Sequence, residues 1–180
     1  MRQPYQTAIM LTTTLTLAAS IVAASGYFLG VRINLTPSVP RGIYLTTSGP
    51  IQPGAMVAFC PPDEPLFRVA RARTYLRFGL CPGSYAYMIK QVAAMGGDTI
   101  SATDRGITVN GLALVNSAPI LKDTLGRDLP TWRVSQLMLN EHELLLMSAS
   151  NPASFDGRYF GLVNQSSVRA TLKPFIIFKD

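Results

Sequence analysis

Thr7 to Val31 is a run of 25 residues without a charged side chain, and it constrains this chain more than any other feature. As a helix it would span about 37 Å, more than the roughly 30 Å of a bilayer's hydrocarbon core. Five threonines and two serines dilute its apolarity. A helix can return those hydroxyls to its own backbone carbonyls, so lipid tolerates them. Arg2 precedes the run, and Arg32 and Arg41 follow it, so charge asymmetry does not orient it. The preferred reading is a short cytoplasmic tail and retained anchor over 1–31, carrying an extracytoplasmic body over 32–180. The alternative is a removed secretory signal, with Ala18-Ala19-Ser20 or Ala23-Ala24-Ser25 near the cut. The apolar run is longer than a usual signal core, which favours the anchor.

The remaining length suits one domain, out of 180 residues in all. The net charge is +6, and its one dense part is Arg68, Arg71, Arg73 and Arg77. Interleaved with Val69, Tyr75, Leu76 and Phe78, these arginines suggest a short amphipathic helix over 66–78. Its basic face is either solvated or laid against anionic lipid. No recognisable module accompanies the charge, so nucleic acid is not an expected partner. His142, between Glu141 and Glu143, is the sole histidine and reads as a turn residue. One such histidine argues against a Ser-His-Asp triad and against a catalytic zinc site. No metal or organic cofactor is implied. Cys60 and Cys81 bracket the arginine-rich segment, so an oxidising compartment would let a disulfide staple an insertion at 60–81. Closing such a loop contributes roughly 3 kcal/mol.

Beyond the anchor the pattern is that of short strands separated by turns. Val39 to Leu45, Ala55 to Phe59, Ser84 to Met95, two strands from Ile100 onward joined near Asp104-Arg105-Gly106, with Ile107-Thr108-Val109 alternating, then Leu112 to Val115, Leu144 to Met147, Tyr159 to Val163 and Phe175 to Phe178 are the strand candidates. Within Ser84 to Met95, Gln91 to Met95 could equally continue as helix. Asn110-Gly111 is a strong hairpin signal. Asn116 to Pro130 is proline-punctuated and reads as loop. The fold class expected is mainly β, with an N-terminal transmembrane helix and a small helical insertion between the cysteines.

Two side chains point to chemistry. Ser38 lies between Pro37 and Pro40, just beyond the anchor, where restricted backbone could present its hydroxyl to a substrate. Taken alone it is an ordinary turn serine. Lys90 interrupts the apolar run Met88-Ile89 and Val92-Ala93. Its bland reading is a side chain that snorkels or faces solvent. Burial would instead lower its pKa and let a neutral amine take the proton of a serine hydroxyl.

Four segments in order resemble the signal peptidase I family, and within it the conjugative-transfer peptidases, the TraF branch. They are Ser38-Val39-Pro40, Pro53 to Phe59, Tyr87 to Val92 with Gly96-Gly97-Asp98, and Ser154 to Gly161. The resemblance implies that Ser38 is the nucleophile and Lys90 the general base. It implies that Ser154 orients the lysine amine and that Thr36 joins the backbone N–H of Ser38 in an oxyanion hole. Asp156 and Arg158 match an Asp-x-Arg element, read as a structural ion pair with tuning of the lysine as the alternative. The chain departs from the wider family at Val39, where methionine is usual. It departs again at Ser148-Ala149-Ser150-Asn151, where Gly-Asp-Asn-Arg is common, and it has no room for a large second domain. These departures suit the small transfer branch.

The implied activity is cleavage of a conjugative pilin precursor or another exported peptide, at the bacterial inner membrane and facing the periplasm. In some branch members cleavage is coupled to cyclisation. Membrane lipid and conjugative transfer machinery are the other implied partners. A general leader peptidase, a self-cleaving repressor and a non-enzymatic bitopic assembly protein are the rival readings. The anchor and the missing DNA-binding module argue against the repressor.

Overall fold

The computed structural model describes residues 4–178. Helix α1 (Pro4–Phe28) contains most of the uncharged run and is almost wholly exposed. Thr12, Thr13, Thr14, Thr16 and Ser20 donate to carbonyls three or four residues back, at 2.7–3.0 Å. The apolar helix is therefore long enough to cross a bilayer by length and composition. Arg2, cited above for orientation, lies outside the described residues. The uncharged run does not end with the helix. Gly30, at φ +86°, turns the chain, and a Cβ there would meet the Thr46 hydroxyl at 2.2 Å. Val31 then opens a strand.

The body is built from β1 (Val31–Asn34), β2 (Gly42–Thr47), β3 (Met56–Phe59), α2 (Pro65–Ala72), β4 (Phe78–Cys81), β5 (Met88–Met95), β6 (Thr99–Thr103), β7 (Gly106–Val109), β8 (Leu112–Ala113), β9 (Val134–Met138), β10 (Glu143–Met147), α3 (Gly157–Phe160), β11 (Leu162–Asn164) and β12 (Val168–Ile177). A seven-stranded sheet runs β1-β2-β12-β3-β5-β10-β11, and a four-stranded sheet runs β8-β7-β6-β9. Every named pairing is antiparallel. The fold is thus mainly β, with an apolar N-terminal helix and a helical insertion between the cysteines.

Alternation along β5 decides what the site contains. Side chains two apart share a face, so Lys90 points the same way as Val92 and Ala94, both core residues. On the opposite face Ile89 packs with Val39, Tyr44 and Ala58. Strand β3 pairs with β5 along Met88 to Gln91, whereas β10 reaches only as far as Gln91, opposite Met147. The β10-side edge of β5 is consequently unpaired from Met88 to Lys90. Strand β1 is likewise paired on one side alone.

Several local expectations need correction. The insertion helix ends at Ala72 rather than continuing to residue 78, because Thr74 sits at φ +65° and breaks the helical path. Phe78 is on β4. Tyr159 and Phe160, expected in a strand, form the last turn of α3, which Asp156 caps by accepting the Arg158 backbone N–H. Strands β1, β4 and β9 were not foreseen. The ambiguous Gln91 to Met95 continues as strand.

Candidate active site

Cys60 and Cys81 are bonded, and their Cα atoms lie 5.4 Å apart. The bridge closes the insertion, whose Phe67, Ala70 and Leu76 bury a small core of their own. Aromatic contacts carry that core to the segment after β10. The Phe67 ring lies 6.2 Å from Phe155 and 5.3 Å from Phe160, and Tyr75 lies 5.6 Å from Phe155. Ser154, next to Phe155, is thereby held between the insertion and β5.

Asn34 shapes the loop that carries Ser38. Its amide nitrogen donates to the carbonyls of Thr36, Val39 and Pro40 at 2.9–3.1 Å. Its amide oxygen accepts from the backbone N–H and the hydroxyl of Thr36 at 3.1 and 2.8 Å. The Tyr44 hydroxyl donates to the Pro40 carbonyl at 2.6 Å. The Ser148 hydroxyl donates to the carbonyl of Ser38 itself. Three buried or half-buried groups thus hold the loop, and the backbone N–H of Ser38 has no protein partner among the described residues.

The three hydroxyl and amine groups form one chain. Lys90 Nζ donates to Ser154 Oγ at 2.7 Å, and Ser154 Oγ donates to Ser38 Oγ at 3.2 Å. Lys90 is 1% exposed. Burial pulls its pKa down from 10.5 to about 8; Asp156 opposes that shift and Arg158 reinforces it. The snorkelling alternative for this lysine does not hold.

Asp156 and Arg158 are both fully buried and form a two-pronged pair at 2.6 and 2.7 Å. Arg158 spends its remaining donors on the carbonyls of Asn116, Pro152 and Asn151. Asp156 also accepts from the Ser148 backbone N–H at 3.0 Å. The pair therefore ties together both ends of the 148–158 segment. Among the described residues neither member hydrogen-bonds to Lys90, though the charges of both act on its amine.

A cleft of about 220 Å³ opens at Ser38 and Lys90. Ile33 and Leu35 from the β1 segment, Tyr87 and Ile89 from the β5 segment, and Tyr75 and Arg77 of the insertion line it. Its walls include the two unpaired strand edges, β1 and the start of β5, so an extended peptide could pair with backbone on either side. Hydrogen bonds join Lys90, Ser154 and Ser38, and Thr36 lines the same cleft as Ser38 and Lys90. The Thr36 hydroxyl proton, however, is directed to Asn34 in this state. Asn34, Ser148, Tyr75 and Arg77 were not singled out for the site. A polar Asn inside Val31-Arg32-Ile33-Asn34-Leu35 was the one local signal for any of them. Among the described residues, no cluster of His, Cys, Asp and Glu could hold a metal ion.

The structure thus sets a mainly β body behind an apolar helix, with a serine and a buried lysine joined through one hydroxyl. The chain belongs to the signal peptidase family: the family described as signal peptidase, peptidase S26, matches residues 5–176. It is similar to a plasmid transfer protein TraF of Escherichia coli, 45% identical over 159 residues, covering 88% of this chain and 89% of the relative. It is also similar to a conjugal transfer protein TraF of Agrobacterium tumefaciens, 34% identical over 177 residues, covering 97% and 98% of the two chains. A solved signal peptidase I from Enterococcus faecalis superposes at a TM-score of 0.41 with 20% identity, covering 71% of this chain and all of that one. By family the chain is a Ser/Lys-type peptidase related to the TraF conjugal transfer proteins.

Proposed function

We propose that this chain is an inner-membrane endopeptidase that matures a conjugative pilin precursor by acyl transfer, with Ser38 as nucleophile and Lys90 as base. The observation that carries the reading is the buried chain from Lys90 through Ser154 to Ser38. A lysine with a pKa near 8 is partly neutral at physiological pH, and its neutral amine can accept a proton. Ser154 relays or orients. As Ser38 Oγ attacks the scissile carbonyl, its proton passes to Lys90 and the oxyanion forms beside the Ser38 N–H. The Thr36 hydroxyl joins it by turning away from Asn34. Lys90 then protonates the leaving amine, and an acyl-enzyme remains. Attack by water releases a linear product, while attack by the substrate's own amino terminus closes a ring.

In this reading residues 1–31 supply the tail and anchor, and residues 32–180 form the periplasmic catalytic body, with 60–81 as its insertion. The strand edges flanking the cleft support an extended peptide substrate. Similarity to proteins named for plasmid and conjugal transfer supports a substrate within a transfer system rather than exported proteins at large.

The test is the intact mass of a candidate pilin precursor co-expressed with this chain or with its Ser38→Ala variant. A shortened product only with the native chain supports the reading. A product one water lighter than the cut linear peptide identifies cyclisation. Identical precursor masses in both samples would count against the pilin assignment, and a panel of other exported precursors would then test the general leader peptidase.

A further inference from the structure

A second cavity, of about 370 Å³, adjoins the cleft at Tyr75. Tyr75 lines both. Ile120, Leu129, Phe155 and Tyr159 make the second cavity largely apolar, and Lys122 and Asp123 stand among its lining. Its volume falls within the roughly 300–1,000 Å³ of ligand pockets. The partition between the two cavities is braced. The Tyr75 hydroxyl donates to Asp123, and Arg127 pairs with the same carboxylate at 2.6 Å. Phe155 stacks on Tyr159 with ring centres 5.7 Å apart.

The position of this cavity follows from the relay. Ala153 and Phe155, the immediate neighbours of Ser154, line it, and Ser154 Oγ is 3.2 Å from Ser38 Oγ. In the acyl-transfer mechanism the leaving amine takes its proton from the Lys90–Ser154 end of the chain. The peptide on the leaving side must therefore pass Ser154. An extended chain advances about 3.3 Å per residue, so a side chain two or three residues beyond the cut lies about 7–10 Å along the chain from it.

On the basis of the peptidase reading, we propose that the cavity behind Tyr75 is a subsite for an apolar side chain of the substrate on the leaving side of the scissile bond. The cleft between β1 and β5 takes the acyl side, and Tyr75 divides the two. The insertion, through Tyr75, and the 116–130 loop, through Ile120 and Leu129, together set which precursors are cut.

The experiment uses the full-length chain and a peptide library varied over three positions on each side of the cut, read by mass spectrometry. For the native protein, leucine or phenylalanine within three residues on the leaving side should raise kcat/KM by about tenfold over serine or glycine. Leu129→Trp, which fills the cavity, should abolish that preference. Leu129→Ala, which enlarges it, should shift the preference towards tryptophan. Cleavage that depends on Ser38 but shows the same leaving-side preference in all three proteins overturns the subsite and leaves the peptidase reading standing. Absence of any Ser38-dependent cleavage by the native protein overturns the peptidase reading, and the subsite with it.

Discussion

Lys90 is where local chemistry and stability pull against each other. Its amine is buried, and burial lowers its pKa to about 8 from 10.5. The free enzyme's kcat/KM should therefore rise with pH, reach half its maximum near pH 8, and level off above it. Lys90→Arg keeps a charge that does not readily leave, so it should lower kcat by about a thousandfold or more. The same burial carries a cost. Below pH 8 both folded and unfolded chains hold the proton, and the folded state bears the full penalty. Between pH 8 and 10.5 the folded chain loses the proton first, so stability rises with pH. Lys90→Met should consequently be inactive yet more stable at pH 7, by roughly 3 kcal/mol. Denaturant titrations should show the gap from the native protein closing as pH rises to 10.5. Removing one member of the Asp156–Arg158 pair should instead destabilise. Arg158→Met leaves a buried carboxylate without its partner and should destabilise by about 3–5 kcal/mol, measured by urea unfolding.

At the scale of elements, the insertion is held by one covalent bond and one aromatic cluster. Replacing Cys60 and Cys81 by serine removes loop closure worth roughly 3 kcal/mol in the unfolded chain. Hydrogen exchange should then quicken in residues 61–80 more than in β5 or β10. KM should rise as well, because Tyr75 and Arg77 wall the cleft. The turn after α3 is another tight point. Gly161 has φ +71°, and a Cβ there would meet the Trp132 ring at about 3.0 Å. Gly161→Ala should lower the midpoint of thermal unfolding, with a loss of about 1–3 kcal/mol. Elements legible in the sequence were those with one clear period, such as the β6–β7 hairpin and the buried run of β10. Strand β1 was hidden because its first residue belongs to the uncharged run. Strand β9, Val134-Ser135-Gln136-Leu137-Met138, carries two polar residues and half-buried neighbours, so its apolar signal was faint. The α3 turn was misread because aromatic residues favour strands unless a cap intervenes.

Across the whole molecule, helix α1 and the body are nearly separate. Helix α1 is exposed along its length, and Arg32 of β1 stacks 4.1 Å above Tyr27 and donates to its carbonyl at 2.8 Å. A protein beginning at Gly30 should therefore keep its disulfide and unfold within a few degrees of the full-length chain, about 2–4 °C at most. Calorimetry of the two forms checks this. The body leaves apolar residues exposed at both ends of its chain, with Leu29 and Ile33 at one end and Phe175 to Phe178 at the other. Those residues suit a body held close to the bilayer that α1 is long enough to cross.

What the sequence determined by itself were the features written in local runs: the uncharged helix, the β character, the bracketing cysteines, and the ordered segments around Ser38, Lys90 and Ser154. Each depends on neighbours a few residues apart, or on chemistry carried by single side chains. Only the tertiary structure decided that Lys90 is buried, because its face of β5 is covered by the segment containing Ser154, 64 residues away. Tertiary structure also made Asn34 and Ser148 the supports of the Ser38 loop. It brought the insertion against the cleft, and it placed a second cavity behind Tyr75. Hydrogen bonds and apolar contacts between distant segments follow from strand order and register, and no local period encodes those.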